Sequence, residues 1–353
     1  MFFLRTSTPY VGSRSSIGMR KRSVSVSIVA VLAAILGLAS CQKNRMESVP
    51  VLSVGINRSL KSAPVVMADV HGLFQKNGIS VDIKIENSAV SLFDGLHEGF
   101  YDLVCVPEYQ AAVHAFADTD FRILAVLNRN QTRSLVYNGR KVAGIADLER
   151  KSIGLARNSS AEYTLYRALL VNGVDERTVS TVYYTPEELP SALANGEVDG
   201  VIVWEPFTTD ALKLTGLAAR TENVHFGRDM YWLLVTRLDI SATRSDDLVR
   251  LLSSLEESIG LVNKKKSETV GQIASALSLS PDSLILEWEA YTFNLELPQS
   301  LLVSMEQEAL WYQGRYFPEI ELPDFLDVID VEPLSAIRPR HVTIAVDGGS
   351  RVP

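Results

Sequence analysis

Four short polar stretches carry the residues best placed for chemistry: Asn57-Arg58-Ser59, Pro107-Glu108-Tyr109, Arg157-Asn158-Ser159-Ser160 and Trp204-Glu205-Pro206. Each lies at a junction between an apolar, strand-like run and a helical pattern. Helix N-termini present free backbone N–H groups and a partial positive charge. In open α/β sheets, ligands settle outside the carboxyl ends of strands, where those N-termini converge. The chemistry this suits is non-covalent capture of a small polar molecule. Each junction also has a purely structural explanation. Asn158 tolerates a left-handed turn, Ser159 or Ser160 makes a good N-cap, and Glu108 matches a helix dipole. Glu205 is held extended by the following proline, and an isolated Trp204 is ordinary core material.

Covalent and metal chemistry have little to build on. The histidines at 71, 97, 114, 225 and 341 share no metal-ligand spacing. Ser159 has no neighbouring base, which a nucleophile needs within hydrogen-bond reach. No Gly-x-Ser-x-Gly elbow, Walker loop or Gly-x-Gly-x-x-Gly turn is present. Two cysteines make neither a disulfide framework nor a four-ligand zinc site. Cys105, within Leu103-Val104-Cys105-Val106, reads as a small buried hydrophobe. No metal, cofactor or catalytic residue is expected.

The elements that must position these junctions alternate. Apolar runs near residues 52–56, 81–85, 103–106 and 123–127 are separated by helical stretches at 62–75, 90–98 and 109–116. A second set follows, with strands at 152–155, 179–184 and 200–203 and helices at 160–172 and 186–194. Such alternation implies βαβ units and a mostly parallel sheet. Extended runs at 134–137 and 231–236 read as two crossings between two α/β lobes. The expected organisation is lobe I at 51–136 and 237–333, lobe II at 137–236, and a C-terminal tail at 334–353 whose last residues, 348–353, are disordered. Beyond residue 245, Leu248, Leu251, Leu252, Leu255, Ile259 and Val262 recur at helical spacing. Further helices are expected at 270–277, 283–292 and 300–312. No internal repeat is evident.

The first forty residues read as an address. They carry five basic residues, no acid and an apolar run at 28–36, far shorter than a bilayer span. Leu38-Ala39-Ser40-Cys41 is similar to the lipobox of bacterial lipoproteins, so residues 1–40 are expected to be cleaved and Cys41 lipidated. Residues 41–50 then form a polar tether. Met19, directly before Arg20-Lys21-Arg22, is an alternative translation start. The chain of 353 residues is 46% hydrophobic and 22% charged, with a formal net charge of −8. That excludes a disordered chain and a polytopic membrane protein, and it makes nucleic acid an unsuitable partner.

Taken in order, the junctions belong to a longer series. Gly55-Ile56-Asn57, Ser62-Ala63-Pro64, Gly72-Leu73-Phe74 and Gly78-Ile79-Ser80-Val81 are followed by Ala146-Asp147-Leu148, Ser152-Ile153-Gly154 and Ser159-Ser160-Ala161-Glu162-Tyr163. Ala192-Leu193-Ala194-Asn195-Gly196-Glu197-Val198-Asp199-Gly200 then leads to Trp204-Glu205-Pro206. The series resembles the substrate-binding proteins of ABC importers for nitrate, aliphatic sulfonates, taurine and thiamine-precursor pyrimidines, over residues 51–317. The resemblance implies the type II periplasmic-binding fold: two α/β lobes, two crossover strands and a ligand cleft between them. It also implies a monomeric, membrane-anchored extracytoplasmic receptor serving a permease and an ATPase. The family's cleft loops fall on Asn57, Arg58, Pro107, Glu108, Ser159, Ser160, Trp204 and Glu205. On this reading Trp204 supplies an apolar face, Ser159 and Ser160 hold an acceptor group, and Asn57 and Arg58 reach it from the other lobe. Glu108 and Glu205 would accept from ligand N–H groups, which favours a ligand bearing N–H donors or positive charge over plain nitrate or sulfate. An enzyme or a sensory ligand-binding module on the same fold is the alternative.

Overall fold

A computed structural model of the chain describes residues 51–264 and 266–345. The first α/β set comprises β1 (Val51–Asn57), α1 (Ala63–Val70), α2 (Leu73–Lys76), β2 (Ser80–Glu86), α3 (Ala89–His97), β3 (Leu103–Pro107), α4 (Glu108–His114) and β4 (Phe121–Asn130). The helical run expected over 62–75 is broken in two, because Gly72 takes a left-handed φ of 62°, a conformation that glycine adopts without strain. The second set comprises β5 (Ser134–Asn138), β6 (Ser152–Ala156), α5 (Ser160–Val171), β7 (Ser180–Tyr184), α6 (Leu189–Asn195), β8 (Gly200–Val203), α7 (Phe207–Thr215) and β9 (Ala219–Asn223). The chain then returns through β10 (Met230–Arg237), α8 (Leu238–Thr243), α9 (Ser245–Lys264), α10 (Lys266–Leu277), α11 (Pro281–Glu287), β11 (Tyr291–Glu296), α12 (Gln299–Tyr316) and α13 (Glu332–Ile337).

These elements make two mixed sheets and hence two lobes. The first sheet has the order β11-β4-β10-β3-β1-β2, and the second β7-β6-β8-β5-β9. In each, the βαβ strands are parallel and the returning strands antiparallel: β1 runs parallel to β2 and β3, and β6 parallel to β7 and β8. The chain changes sheets at residues 131–133 and again at 224–229. Both changes come earlier than the expected boundaries at 136/137 and 236/237. Residues 134–138 already pair with β8 and β9. Residues 230–237 are no crossing strand; they sit between β3 and β4 inside the first sheet. A fully buried strand reads as a continuous apolar run, which Met230-Tyr231-Trp232-Leu233-Leu234-Val235 is.

Two other expectations differ. The helix expected over 283–292 stops at Glu287, and residues 291–296 form the edge strand β11. Tyr291, Phe293 and Leu295 alternate inward with outward neighbours there, the period of a strand. The segment from 334 is no loose tail as far as residue 345: Leu334 and Ile344 are buried in the first core, and Leu297 bridges to Val342. The end at 348–353, like residues 1–50, lies outside the described residues.

The two lobes share a construction device that the sequence showed no repeat to announce. Asp102, just before β3, accepts from the Ser53 backbone N–H of β1 at 2.9 Å. Asp199, just before β8, accepts from the Ser152 N–H of β6 at 3.0 Å. Each carboxylate also takes its serine's hydroxyl at 3.1 Å. Thus in both lobes an aspartate locks the register of the strands whose far ends carry the binding loops. α9 buries the face Leu248, Leu251, Leu252, Leu255, Ile259 and Val262 in lobe I, as its spacing predicts.

Candidate functional site

A cavity of about 270 Å³ lies between the lobes. Lobe I contributes Asn57, Lys61, Pro107, Gln110 and Trp232, lobe II contributes Ser159, Ser160, Thr185 and Trp204, and Arg133 enters from the first crossing segment. Five of the eight residues singled out from sequence therefore border it: Asn57, Pro107, Ser159, Ser160 and Trp204. Asn57 ends β1, and its amide donates to the Asn87 carbonyl at 3.0 Å, fixing the loop after β2. Ser159 caps α5: its hydroxyl accepts from the Ala161 N–H at 3.3 Å and donates to the Ala156 carbonyl at 2.7 Å. Ser160, in the first turn of α5, accepts from Arg133 Nη2 through its hydroxyl. The Arg133 guanidinium also lies 4.4 Å over the Trp204 ring, a favourable contact for a cation.

The other three residues do not border the cavity. Arg58 is exposed, and its N–H donates to the Glu86 carbonyl at 2.9 Å, which turns the chain away. Glu108 is fully buried inside lobe I. Its carboxylate accepts from the Tyr231 N–H at 3.0 Å and the Ser304 hydroxyl at 3.2 Å, and it faces Arg228 at 3.5 Å. Glu308 sits 2.9 Å from the same guanidinium. Burial and the nearby Glu308 push Glu108 up to about 8, against the pull of Arg228. Its expected role as a ligand acceptor is thereby overturned: every oxygen is engaged within its own lobe. Glu205 borders a separate narrow crevice with Ser59, Leu284 and Glu287, and it accepts from the Thr209 N–H at 3.3 Å. With both carboxylates elsewhere, the preference for a cationic or N–H-rich ligand loses its basis.

Arg228 bridges two buried carboxylates, and removing one member of a buried ionic cluster strands the others. Arg228→Met is expected to lower unfolding free energy by about 3 kcal/mol at neutral pH. Both Glu108 and Glu308 have raised affinity for protons, so acid relieves their mutual repulsion. The deficit should shrink as pH falls towards about 5. Urea unfolding at both pH values checks this; an equal deficit at both contradicts it.

The electrostatics of the cavity are set by residues that sequence inspection passed over. Lys61 and Arg133 are 3% and 5% exposed. Lys61 Nζ, Arg133 Nε and Nη1, and Trp232 Nε1 are buried and find no acceptor on the protein. Buried donors are normally satisfied, and these four all belong to residues that border the cavity. Lys61 follows β1 in a single 3-10 turn, Leu60–Ser62, and its carbonyl accepts from the Asn128 amide at 2.8 Å. Its ammonium lies 5.6 Å from the Trp232 ring centroid. Burial lowers Lys61 to about 8, with Arg133 acting in the same direction and Glu287 and Glu205 opposing. Burial likewise lowers Arg133 to about 10, which leaves it charged at neutral pH. A signal for Arg133 was available: Gln131-Thr132-Arg133 is a polar interruption between two apolar strands.

The crossing segments are laced together. The Arg133 N–H donates to His225 Nε2 on the second segment, and Gln131 Nε2 donates to Asp229 at 2.8 Å. Burial, then Arg133, lowers His225 to about 3, so the ring is neutral and free to accept. Between the lobes, Gln110 Nε2 donates to the Asn158 carbonyl at 2.8 Å, and the Tyr316 hydroxyl donates to Glu162 at 2.7 Å.

Solved structures share this architecture. The alkanesulfonate-binding protein from Xanthomonas axonopodis pv. citri, bound to MOPS, superposes with a TM-score of 0.68 at 19% identity, over 80% of this chain and 98% of that one. The periplasmic aliphatic sulphonate binding protein from Escherichia coli gives 0.67 at 18% identity, over 79% and 97%. The periplasmic nitrate-binding protein from Synechocystis PCC 6803 gives 0.61 at 14% identity, over 75% and 82%. At such identities the likeness is one of fold, that of periplasmic binding proteins. The sequence pattern of the NMT1-like family, in contrast, matches residues 46–275 directly, well over half of the chain. With two lobes, a cavity between them and this match, the chain belongs to the NMT1-like family, a family of binding proteins rather than enzymes.

Proposed function

We propose that the chain is the solute-binding component of an ABC importer and that its ligand is a small organic anion with a sulfonate-like head. One observation carries the ligand class: two buried cationic side chains, Arg133 and Lys61, border the interlobe cavity with N–H donors that no protein atom accepts. A guanidinium with unmet donors suits an anion's oxygens, and an ammonium adds a compact charge. Trp232 offers a fourth donor, and Trp204, already beneath Arg133, an aromatic wall. The sulfonate names of the proteins with a similar fold agree with this chemistry. A pyrimidine ligand, rich in N–H groups, would meet donors where it needs acceptors. The ligand prefers the closed arrangement because only there do Lys61, Arg133 and Ser160 surround it together, and that differential affinity drives closure.

Calorimetry on refolded protein, freed of carried ligand, tests the reading with ethanesulfonate, taurine, nitrate and an aminopyrimidine. Ethanesulfonate is expected to bind with a Kd near micromolar, about −8 kcal/mol. Binding of the aminopyrimidine with no response to any sulfonate would overturn it. The membrane tether is part of the same proposal: acylated Cys41 would keep the receptor beside its permease and ATPase, outside the cytoplasm. Mass spectrometry of the detergent-extracted protein should find an acylated N-terminal cysteine peptide; an unmodified Cys41 inside an intact N-terminal segment refutes the tether.

A further inference from the structure

The end of α12 in lobe I meets α5 and the turn after it in lobe II. The Trp311 ring lies 5.6 Å from that of Tyr163 and 5.9 Å from that of Tyr166, between centroids. Arg315 pairs with Glu176, and the Tyr316 hydroxyl donates to Glu162 at 2.7 Å. These residues stand outside the lining of the cavity of about 270 Å³.

Glu162 is the hub of this contact. It is 6% exposed and sits in the first turn of α5, just after the Ser159 cap. A glutamate there ordinarily reaches back to the backbone at the helix start, and one oxygen does so: Oε1 accepts from the Asn158 N–H at 2.6 Å. Capping leaves the other oxygen unexplained. Oε2 accepts from two hydroxyls, that of Tyr183 at 3.2 Å in its own lobe and that of Tyr316 in the other.

Asn158, the residue so held, has a φ of 57°, a left-handed conformation that asparagine tolerates at some cost. Its carbonyl accepts from Gln110 Nε2 of lobe I at 2.8 Å. The peptide units on both sides of Asn158 are therefore fixed, and they lead straight into Ser159 and Ser160, which border the cavity.

We infer that Glu162 and Tyr316 are positioning residues for ligand capture: through their contact, α12 of lobe I holds the turn that presents Ser159 and Ser160 to the cavity when the lobes close. Neither residue borders the cavity, so both act at a distance. Part of what holds the lobes closed is then protein against protein, and the contact must break before the ligand leaves.

The inference rests on the anion reading above only for its probe, ethanesulfonate. Calorimetry and stopped-flow dissociation test it on the intact chain, on Tyr316→Phe, Glu162→Ala and Glu162→Gln, and on Tyr316→Phe combined with Glu162→Ala. Tyr316 is 41% exposed, so its variant keeps the fold. Tyr316→Phe is expected to weaken ethanesulfonate about fivefold, mainly through faster dissociation. Glu162→Ala should weaken it about tenfold, and adding Tyr316→Phe should change nothing further, since the partner is already gone. Glu162→Gln, with an oxygen for Asn158 and an amide for the hydroxyls, should recover most of the affinity. A merely structural pair would lower the melting temperature and leave Kd unchanged; that result overturns the inference, as does full additivity of the two changes. If ethanesulfonate does not bind the parent, the anion reading falls and the ligand-free lobes decide. Small-angle scattering should then give a larger radius of gyration for Glu162→Ala than for the parent, and equal radii overturn the inference.

Discussion

Arg133→Met is expected to abolish useful ligand binding, weakening a sulfonate by about a hundredfold or more, on the order of 3 kcal/mol. Methionine preserves much of the volume and the contact with the Trp204 face, but it removes the donors at Nε and Nη1 that have no protein acceptor. A buried cation with idle donors is itself a burden on the fold. The ligand-free variant should therefore melt no lower than the parent. Saturating ethanesulfonate should raise the melting temperature of the parent only, since stabilisation by ligand follows RT ln(1 + [L]/Kd). Melting curves with and without ligand separate the two effects. A variant that still gains stability from ethanesulfonate would show that the anion sits elsewhere.

The second large effect is a pH dependence with a definite sign. Burial holds free Lys61 at about 8, and an anion beside it must raise that value. Below about pH 8 the ammonium is already formed and binding needs no proton. Above it, each binding event must take up a proton, so affinity falls towards tenfold per pH unit. The groups facing Lys61 work the same way. Burial raises Glu287 to about 7 and also raises Glu205, so their ionisation with rising pH makes the surroundings less welcoming to an anion. Arg133 stays charged across this range. Calorimetry between about pH 7 and pH 9, in buffers of differing ionisation enthalpy, should show the decline and the proton uptake. Lys61→Met should weaken binding at neutral pH and flatten the profile. An unchanged profile in that variant would assign the titration to another group.

The fold was legible in sequence because its signals are local and repeated. Alternating runs located nearly every strand of the βαβ units, and the stripe from Leu248 to Val262 located α9. The failures came where context decides. Residues 230–237 carry no mark that distinguishes an interior strand from a crossing; only pairing on both sides does. Glu108 illustrates the limit at the site. Its position at a helix start was correct, but which way a carboxylate faces depends on Arg228 and Ser304, 120 and more positions away in the chain. Lys61 and Arg133 were missed for the opposite reason. A lone basic residue beside a loop looks like solvated surface until its burial, and donors that no protein atom accepts, are seen.

The lacing of the two crossing segments carries one more consequence. Arg133 belongs to the first segment, and its own N–H is held by His225 of the second. On the proposed reading, the guest's charge is shared between one jaw, through Lys61, and the fulcrum, through Arg133. Should an anion settle against Arg133 as proposed, it would bear on both segments that join the jaws, so even a compact guest would reach each of them.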